Sequence, residues 1–181
     1  MKLLGIITVI ISMFLSSSCA IYHHYGSYHG KVIDEETKKP LEGVVVLAEY
    51  VTWQILSPGG PTPYFLDTQE VITDRNGEFK IPTLNAFAFR PLSTFTMLGS
   101  EYGPFSPYFT IFKPHYKCSR SVNVPEDQYW EISLRELKTK EERWHNTDCY
   151  PTSVPNKKMK KLIEVNNLEC IEVGQQPSHL K

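Results

Sequence analysis

The sequence predicts an all-β fold, a seven-stranded antiparallel β-sandwich with a short C-terminal α-helical extension. Between residues 30 and 134, short runs rich in β-branched and aromatic residues alternate with Pro- and Gly-containing breaks, which is typical of such a sandwich. One break, "DRNG", has the composition of a tight turn between strands. After residue 134 the spacing of charged and apolar residues becomes helical, so the extension is predicted over residues 135–181.

The chain begins with the three-part layout of a secretory signal peptide, predicted over residues 1–18. "MK" supplies a positive start, "LLGIITVIISMFL" an apolar run, and "SSS" the small residues that precede Cys19. The apolar run is short for a membrane span, which needs about 20 residues. A buried N-terminal helix is the alternative interpretation.

The segment "LSSSC" resembles the lipobox of bacterial lipoproteins, in which cleavage makes the cysteine the first residue and lipid is attached to it. The resemblance implies lipid attachment at Cys19 and an exported protein, anchored in a membrane of the bacterial cell envelope and facing the periplasm. The lipobox usually has Leu, Val or Ile three residues before the cysteine, whereas this chain has Ser16 there and Leu15 one position earlier. Ordinary cleavage after Ala20 is the alternative.

Residues 19–29 show no period that extends into a regular element, and we predict that they form a tether. They include His23, His24 and His29, whose neutral imidazoles can bind a divalent ion. A solvated tether would hold such a site poorly, so no metal site is predicted there.

The regular domain is predicted to begin at Gly30. "KVI" is its first strand, "DEETKKP" a charged loop, "GVVVLAEYVTW" a second strand and "SPGGPTP" an exposed loop. "EVITDRNGEFKIP" is predicted to be a β-hairpin, because Asn76 and Gly77 favour positive φ and Asp74 can cap the turn. A calcium loop would need more oxygen ligands than this turn offers.

Residues 84–107 are irregular and rich in aromatic side chains. A loop of this length is uncommon unless it packs on its domain or binds a partner. The candidate contact surface consists of Phe87, Phe89, Phe95, Tyr102, Phe105 and Tyr108. The alternative is that the loop only covers one open end of the sandwich.

The last strands and the extension follow this loop. "YFTIF" and "KCSRSVNVP" are predicted strands on either side of a corner at Lys113–Tyr116, and "QYWEISLREL" is the final strand. In the extension, "LRELKTKEERWH" and "KKMKKLIEVNNLECIEV" are predicted helices, with Leu168 on the apolar side of the second. Gly174 is placed to end that helix.

Three segments resemble the carboxypeptidase regulatory-like domain: "GKVIDEETKKPLEGVVVLA", "VITDRNGEFKIP" and "FKPHYK". The resemblance covers about residues 30–134 and implies a transthyretin-like (Ig-like) sandwich. The matching positions are Gly30, Val32, Asp34, Thr37, Pro40, Leu41, Gly43, Val44, Val46, Thr73, Asp74, Gly77 and Phe79. The chain departs from the family at His115, where Gly is usual. Because this domain is an accessory module in unrelated proteins, the resemblance implies no catalytic residues.

Cysteine and histidine residues form the remaining candidates for chemistry. His115-x-x-Cys118 and His145-x-x-x-Cys149 have the spacing of zinc ligands, but export favours disulfides. With the first cysteine assigned to lipid, Cys149 can pair with either Cys170 or Cys118, and the sequence leaves both pairings open. A Cys–His nucleophile pair would lack a positioned third group and an oxyanion hole. We therefore predict no catalytic residue, no metal and no cofactor.

Taken together, these features predict a non-catalytic cell-envelope lipoprotein that presents a β-sandwich as an interaction or structural module. The formal net charge of -1 offers no strong field for nucleic acid. The expected partners are the membrane, through the lipid anchor, and an envelope protein or glycan. A carbohydrate-binding module is the alternative, with Trp53, Tyr64 or Tyr102 stacking on sugar rings. A metal-dependent hydrolase is a third, less favoured class.

Overall fold

A computed structural model describes residues 18–54, 62–91, 101–102, 106–121, 124 and 126–177. Its strands are β1 (Ser18–Tyr25), β2 (Tyr28–Asp34), β3 (Val45–Gln54), β4 (Thr62–Ile72), β5 (Glu78–Ile81), β6 (Leu84–Pro91), β7 (Glu101–Tyr102), β8 (Tyr108–Phe112), β9 (Ser119–Ser121) and β10 (Tyr129–Leu134). Within these residues, two α-helices, α1 (Lys140–Trp144) and α2 (Lys160–Val173), flank a 3₁₀ turn at Asn156–Lys158. The predicted predominance of β-structure is confirmed. The predicted signal peptide, apart from Ser18, lies outside the described residues.

The described strands form three sheets. Sheet A pairs β1 with β6, sheet B has the order β10-β2-β5, and sheet C has the order β4-β3-β8-β9 with β7 also paired to β3. The described part of the chain therefore has more strands than the seven expected. The pairing of β10 with β2 is parallel, with Trp130 opposite Gly30, so the purely antiparallel arrangement is wrong at this pair. Parallel pairing joins segments distant in sequence, and local patterns do not report it.

The predicted tether, residues 19–29, lies in β1 and the start of β2 instead. Tyr25 and Tyr28 are buried, and their rings pack edge-to-face on Tyr50 and Phe109. The strand period is present locally, since Tyr22 and His24 are exposed and alternate with buried neighbours, but Gly26 and Ser27 interrupt it. The prediction of a tether was wrong because the hydrogen-bonding partner of β1 is β6, far along the chain.

The turn at Asp74–Gly77 is present, but it does not close a hairpin. Gly77 N donates to Asp74 O at 2.9 Å, and Gly77 has a φ of +74°. The flanking strands diverge, because β4 pairs with β3 in sheet C whereas β5 pairs with β2 in sheet B. Val32 N donates to Gly77 O at 2.8 Å, and a Cβ at position 77 would lie 2.5 Å from Val32 O. Glycine is therefore required where the turn packs on β2.

Strand β3 is buried on both faces and separates two hydrophobic cores. The first core draws residues from sheets B and C, and its members from or next to β3 are Val44, Val46, Ala48 and Tyr50. The second core lies between sheet C and the C-terminal extension, where Leu47 and Phe112 join Met159 and Leu162. A strand covered on both faces is apolar at successive positions, which explains the unbroken run "VVVLA".

Helix α2 covers the second core and is capped from a distant strand. Met159, at its N-terminus, offers no capping side chain. The carboxylate of Glu70 in β4 instead accepts hydrogen bonds from Leu162 N at 3.0 Å and Lys161 N at 3.2 Å, which is favourable at the positive end of a helix. Gly174 ends the helix at a φ of +83°, as predicted. Leu168, predicted on the apolar side of the helix, is exposed, so that prediction was wrong. The buried face of the helix consists of Leu162, Asn166, Glu169, Cys170 and Val173.

Candidate functional site

The first and third segments of the predicted domain meet at the carboxylate of Asp34. Its Oδ1 accepts hydrogen bonds from Thr37 N at 2.6 Å, Thr37 Oγ1 at 2.9 Å and Glu36 N at 3.0 Å. Its Oδ2 accepts from the hydroxyl of Tyr116 at 3.2 Å. These bonds, the one from Thr37 N foremost, hold the pKa of Asp34 below its usual range. Asp34 therefore ties the loop after β2 to the corner at Lys113–Tyr116.

The second segment has a comparable structural role. Thr73 Oγ1 donates to Leu41 O at 2.6 Å and accepts from Val44 N at 2.9 Å. Asp74 Oδ1 accepts from Asn76 N at 2.9 Å and from Glu78 N at 2.8 Å, which closes the turn. The side chains of this segment are engaged in holding the backbone.

Replacing Asp34 with alanine should lower the free energy of unfolding by roughly 2–3 kcal/mol at neutral pH, because the hydrogen bonds that Glu36, Thr37 and Tyr116 donate to this buried carboxylate are lost. The pKa of Asp34 in the folded protein is below the unfolded value of about 3.9, so its contribution is complete above that pH and is lost as the pH falls through the folded pKa. Urea unfolding of both proteins between pH 7 and pH 2 measures this difference.

The matched control is Glu35→Ala, which removes the neighbouring exposed carboxylate. This control should remain within about 0.5 kcal/mol of the parent protein. A gap between the parent protein and Asp34→Ala that stayed constant in acid would contradict the role assigned to the Asp34 carboxylate.

Cys118 and Cys149 form a disulfide, with Cα atoms 6.1 Å apart, which is one of the two pairings left open by the sequence. Cys170 is a buried free thiol, and burial raises its pKa. The zinc set that combined these two cysteines with His115 and His145 is therefore not available. Asn146, near Cys149 in the extension, forms hydrogen bonds to the same segment as the disulfide. It donates to Tyr116 O at 2.9 Å and accepts from Cys118 N at 2.8 Å.

A second cluster contains His115, Glu169 and Glu172, whose nitrogen and carboxylate oxygens lie within 4.8 Å of one another. The guanidinium of Arg143 occupies it, with Nε 2.7 Å and Nη2 2.9 Å from the two oxygens of Glu169 and Nη2 2.5 Å from Glu172. These bonds raise the pKa of Arg143 and lower the pKa of Glu172. The oxygens that a metal would need are already paired, so the cluster acts as an ion-pair network that holds α1 on α2.

The residues of the predicted lipid site and contact surface fall in different parts of the fold. Cys19 lies in β1, where it pairs with Arg90 of β6. Of the predicted contact surface, Phe87 and Phe89 lie in β6 of sheet A. Tyr102 lies in β7 and Tyr108 in β8, both of sheet C. Phe95 and Phe105 lie outside the described residues. The described members of the contact surface are thus divided between sheet A and sheet C.

Sheet A presents an exposed aromatic face, here called the ribbon face and defined by Tyr22, His24, Asn85 and Phe87. The rings of Tyr22 and Phe87, which are 55% and 59% exposed, have centroids 5.3 Å apart. Asn85 Oδ1 accepts from the hydroxyl of Tyr22 at 2.7 Å and lies 2.7 Å from His24 Nδ1. Sequence reasoning named Phe87 but missed Tyr22, although its alternation with buried neighbours is a strand signal.

An open groove of about 710 Å³ lies between the end of β4 and the exposed face of sheet B. Tyr129, 57% exposed, forms one wall and packs edge-on against His29 at a centroid distance of 6.0 Å. Glu78 and Lys80 of β5 supply polar groups, and Ile72 supplies an exposed apolar contact. An exposed tyrosine beside hydrogen-bonding side chains can stack on a sugar ring.

Comparison of the chain with protein-family models and with curated proteins finds no match. Among solved structures, a 9R-lipoxygenase from Cyanothece is 13% identical, with a TM-score of 0.28. The match covers 82% of this chain and 23% of the lipoxygenase chain. Such a low TM-score does not indicate a shared fold, and no function is inferred from it. No helix in the described part of the chain is long and apolar enough to cross a membrane.

Proposed function

We propose that the protein is a non-catalytic cell-envelope lipoprotein that presents one β-sandwich of the carboxypeptidase regulatory-like type as an interaction or structural module. The observation that carries this proposal is the segment "LSSSC" directly after an apolar run. Cys19 is the second residue of β1, so an acyl anchor on this residue would lead straight into the folded domain.

The first hydrophobic core supports the proposal of a sandwich, because its buried residues come from both sheet B and sheet C. The resemblance to the regulatory-like domain is supported by the contacts of its matching residues. Asp34 and Thr73 bond neighbouring backbone, and Gly77 stands where a side chain would clash with β2. The Cys118–Cys149 disulfide is in keeping with export, since oxidising compartments preserve such bonds.

A non-catalytic role is supported because Cys118, Cys149 and His115, which could carry nucleophilic chemistry, are already bonded to other groups. Cys118 and Cys149 are bonded to each other, and His115 Nε2 lies 3.1 Å from Glu172 Oε2. Neither thiol is therefore available to a histidine base.

The groove beside Tyr129 favours a second candidate function, a carbohydrate-binding module of the envelope. Sugar binding by aromatic stacking would need exposed rings beside polar groups, as Tyr129 has in Glu78 and Lys80. Binding of the mature protein to a glycan array or to peptidoglycan distinguishes the two functions. Under the second function, Tyr129→Ala abolishes that binding while Trp144→Ala, which removes an exposed aromatic residue on α1 away from the groove, retains it.

The lipoprotein proposal predicts a mature protein that begins at Cys19 and carries acyl chains. Mass spectrometry of the N-terminal peptide, after fractionation of the envelope, measures this directly. Globomycin, which blocks lipoprotein signal cleavage, should cause a precursor that retains residues 1–18 to accumulate, and Cys19→Ser should have the same effect. A soluble product that is fully processed in the presence of globomycin would overturn the proposal.

A further inference from the structure

The structure connects two features that are separate in the sequence, the proposed lipid site and the exposed aromatic residues. Tyr22 follows Cys19 by three residues on the same strand. At about 3.3 Å per residue, its Cα lies roughly 10 Å from the attachment point. Phe87 stands opposite Tyr22 in β6, although it is distant in sequence. The aromatic pair is therefore held close to the residue that would carry the lipid anchor.

The chemistry of the ribbon face suits the region of lipid headgroups. The pair combines one phenol and one phenyl ring, and Asn85 and His24 beside it are polar. Among the described side chains of sheet A, none is Asp, Glu, Lys or Arg. Aromatic rings with a polar edge are enriched at membrane interfaces, and the four residues of the ribbon face carry none of those four residue types, which lowers the cost of moving this face out of bulk water.

The groove side of sheet B differs from the ribbon face. It carries the exposed Glu78 and Lys80 and the half-buried Lys31. Burying these charges against lipid would be costly, so the ribbon face would meet the membrane and the groove would remain in water.

We propose that the Tyr22–Phe87 pair inserts into the headgroup region of the membrane that holds Cys19, and that it thereby fixes the orientation of the domain. This inference rests on the proposed function, because it takes the anchor at Cys19 as given. Acyl chains hold a protein at a membrane but leave it free to reorient, whereas a second contact beside the anchor restricts that motion.

The test uses full-length protein, purified with its lipid and placed in vesicles of phosphatidylethanolamine and phosphatidylglycerol. The Tyr22→Trp variant reports insertion, since phospholipids brominated near the headgroup quench tryptophan emission on contact. With the native tryptophan signal subtracted, we expect a loss of the added emission, because a ring at interfacial depth lies beside the brominated positions. Phe87→Trp should show the same loss and guards against a local effect of the first variant.

Leu168→Trp is the matched control, because Leu168 is 56% exposed but lies on α2, beyond the second core. Its emission should not change with brominated lipid. Mass spectrometry and vesicle flotation separate the two proposals. An unlipidated product would refute the proposed function, whereas lipidated, vesicle-bound protein with unquenched variants at positions 22 and 87 would overturn only this inference. Shielding of those positions solely by added envelope protein would also overturn it.

Discussion

Replacing Arg143 with methionine should lower the free energy of unfolding by about 3–5 kcal/mol, because it leaves a buried carboxylate without a counter-ion. The side chain of Glu169 is fully buried, and both of its oxygens accept hydrogen bonds from Arg143. Methionine keeps much of the aliphatic bulk of arginine, so the loss reports the charge rather than a cavity. Urea unfolding at neutral pH, followed by far-UV circular dichroism, measures the effect.

Two further variants assign this loss to the buried pair. Arg143→Met combined with Glu169→Met removes both charges and should recover most of the lost stability, as apolar replacements of buried ion pairs do. Glu172→Gln removes only the partly exposed partner and should cost less than about 1 kcal/mol. A loss below about 1 kcal/mol for Arg143→Met alone would contradict the role of this network in holding α1 on α2.

The turn at Asp74–Gly77 was predictable because its geometry depends on adjacent residues. Asp74 accepts from backbone two and four positions ahead, and Gly77 supplies the positive φ. The pairing of the two strands that flank the turn was not predictable in the same way. It depends on the bonds from Thr73 to Leu41 and from Val32 to Gly77, which join segments that local patterns treat separately.

Sheet A shows the same limit more strongly. Tyr22 and His24 share a partner in Asn85, which lies more than 60 residues along the chain. Nothing in "IYHHY" alone shows that such a partner exists, so the sequence by itself predicts a tether here. The aromatic content of the later segment did point to Phe87, but only pairing with β1 reveals the ribbon face.

The C-terminal end of helix α2 was predictable from the sequence, whereas its N-terminal cap and its buried face were not. Gly174 ends it for a local reason, the left-handed φ that glycine adopts easily. Its N-terminus is capped by Glu70 of β4, and its buried face includes Glu169 because Arg143 reaches it from α1. A hydrophobic pattern cannot report a buried glutamate whose partner lies on another helix.

Removing the disulfide with Cys118→Ala and Cys149→Ala together should lower the free energy of unfolding by about 3–4 kcal/mol on the chain-entropy estimate. The bond closes a segment of 31 residues between the corner before β9 and the extension. Cys149 also lies in the second core. We therefore expect the contact between α2 and sheet C to be destabilised most. Urea unfolding with and without reductant measures the total effect.

Amide hydrogen exchange then locates the loss. In the variant, exchange should rise more in α2, which is held by the second core, than in β3, which also belongs to the first. Cys170→Ala is the control, because this buried thiol is outside the disulfide and its removal should leave the parent's response to reductant intact. If the double variant were as stable as the oxidised parent, the hydrogen bonds of Asn146 and the packing of Met159 and Leu162 would suffice to hold the extension, and the disulfide would be dispensable for that contact.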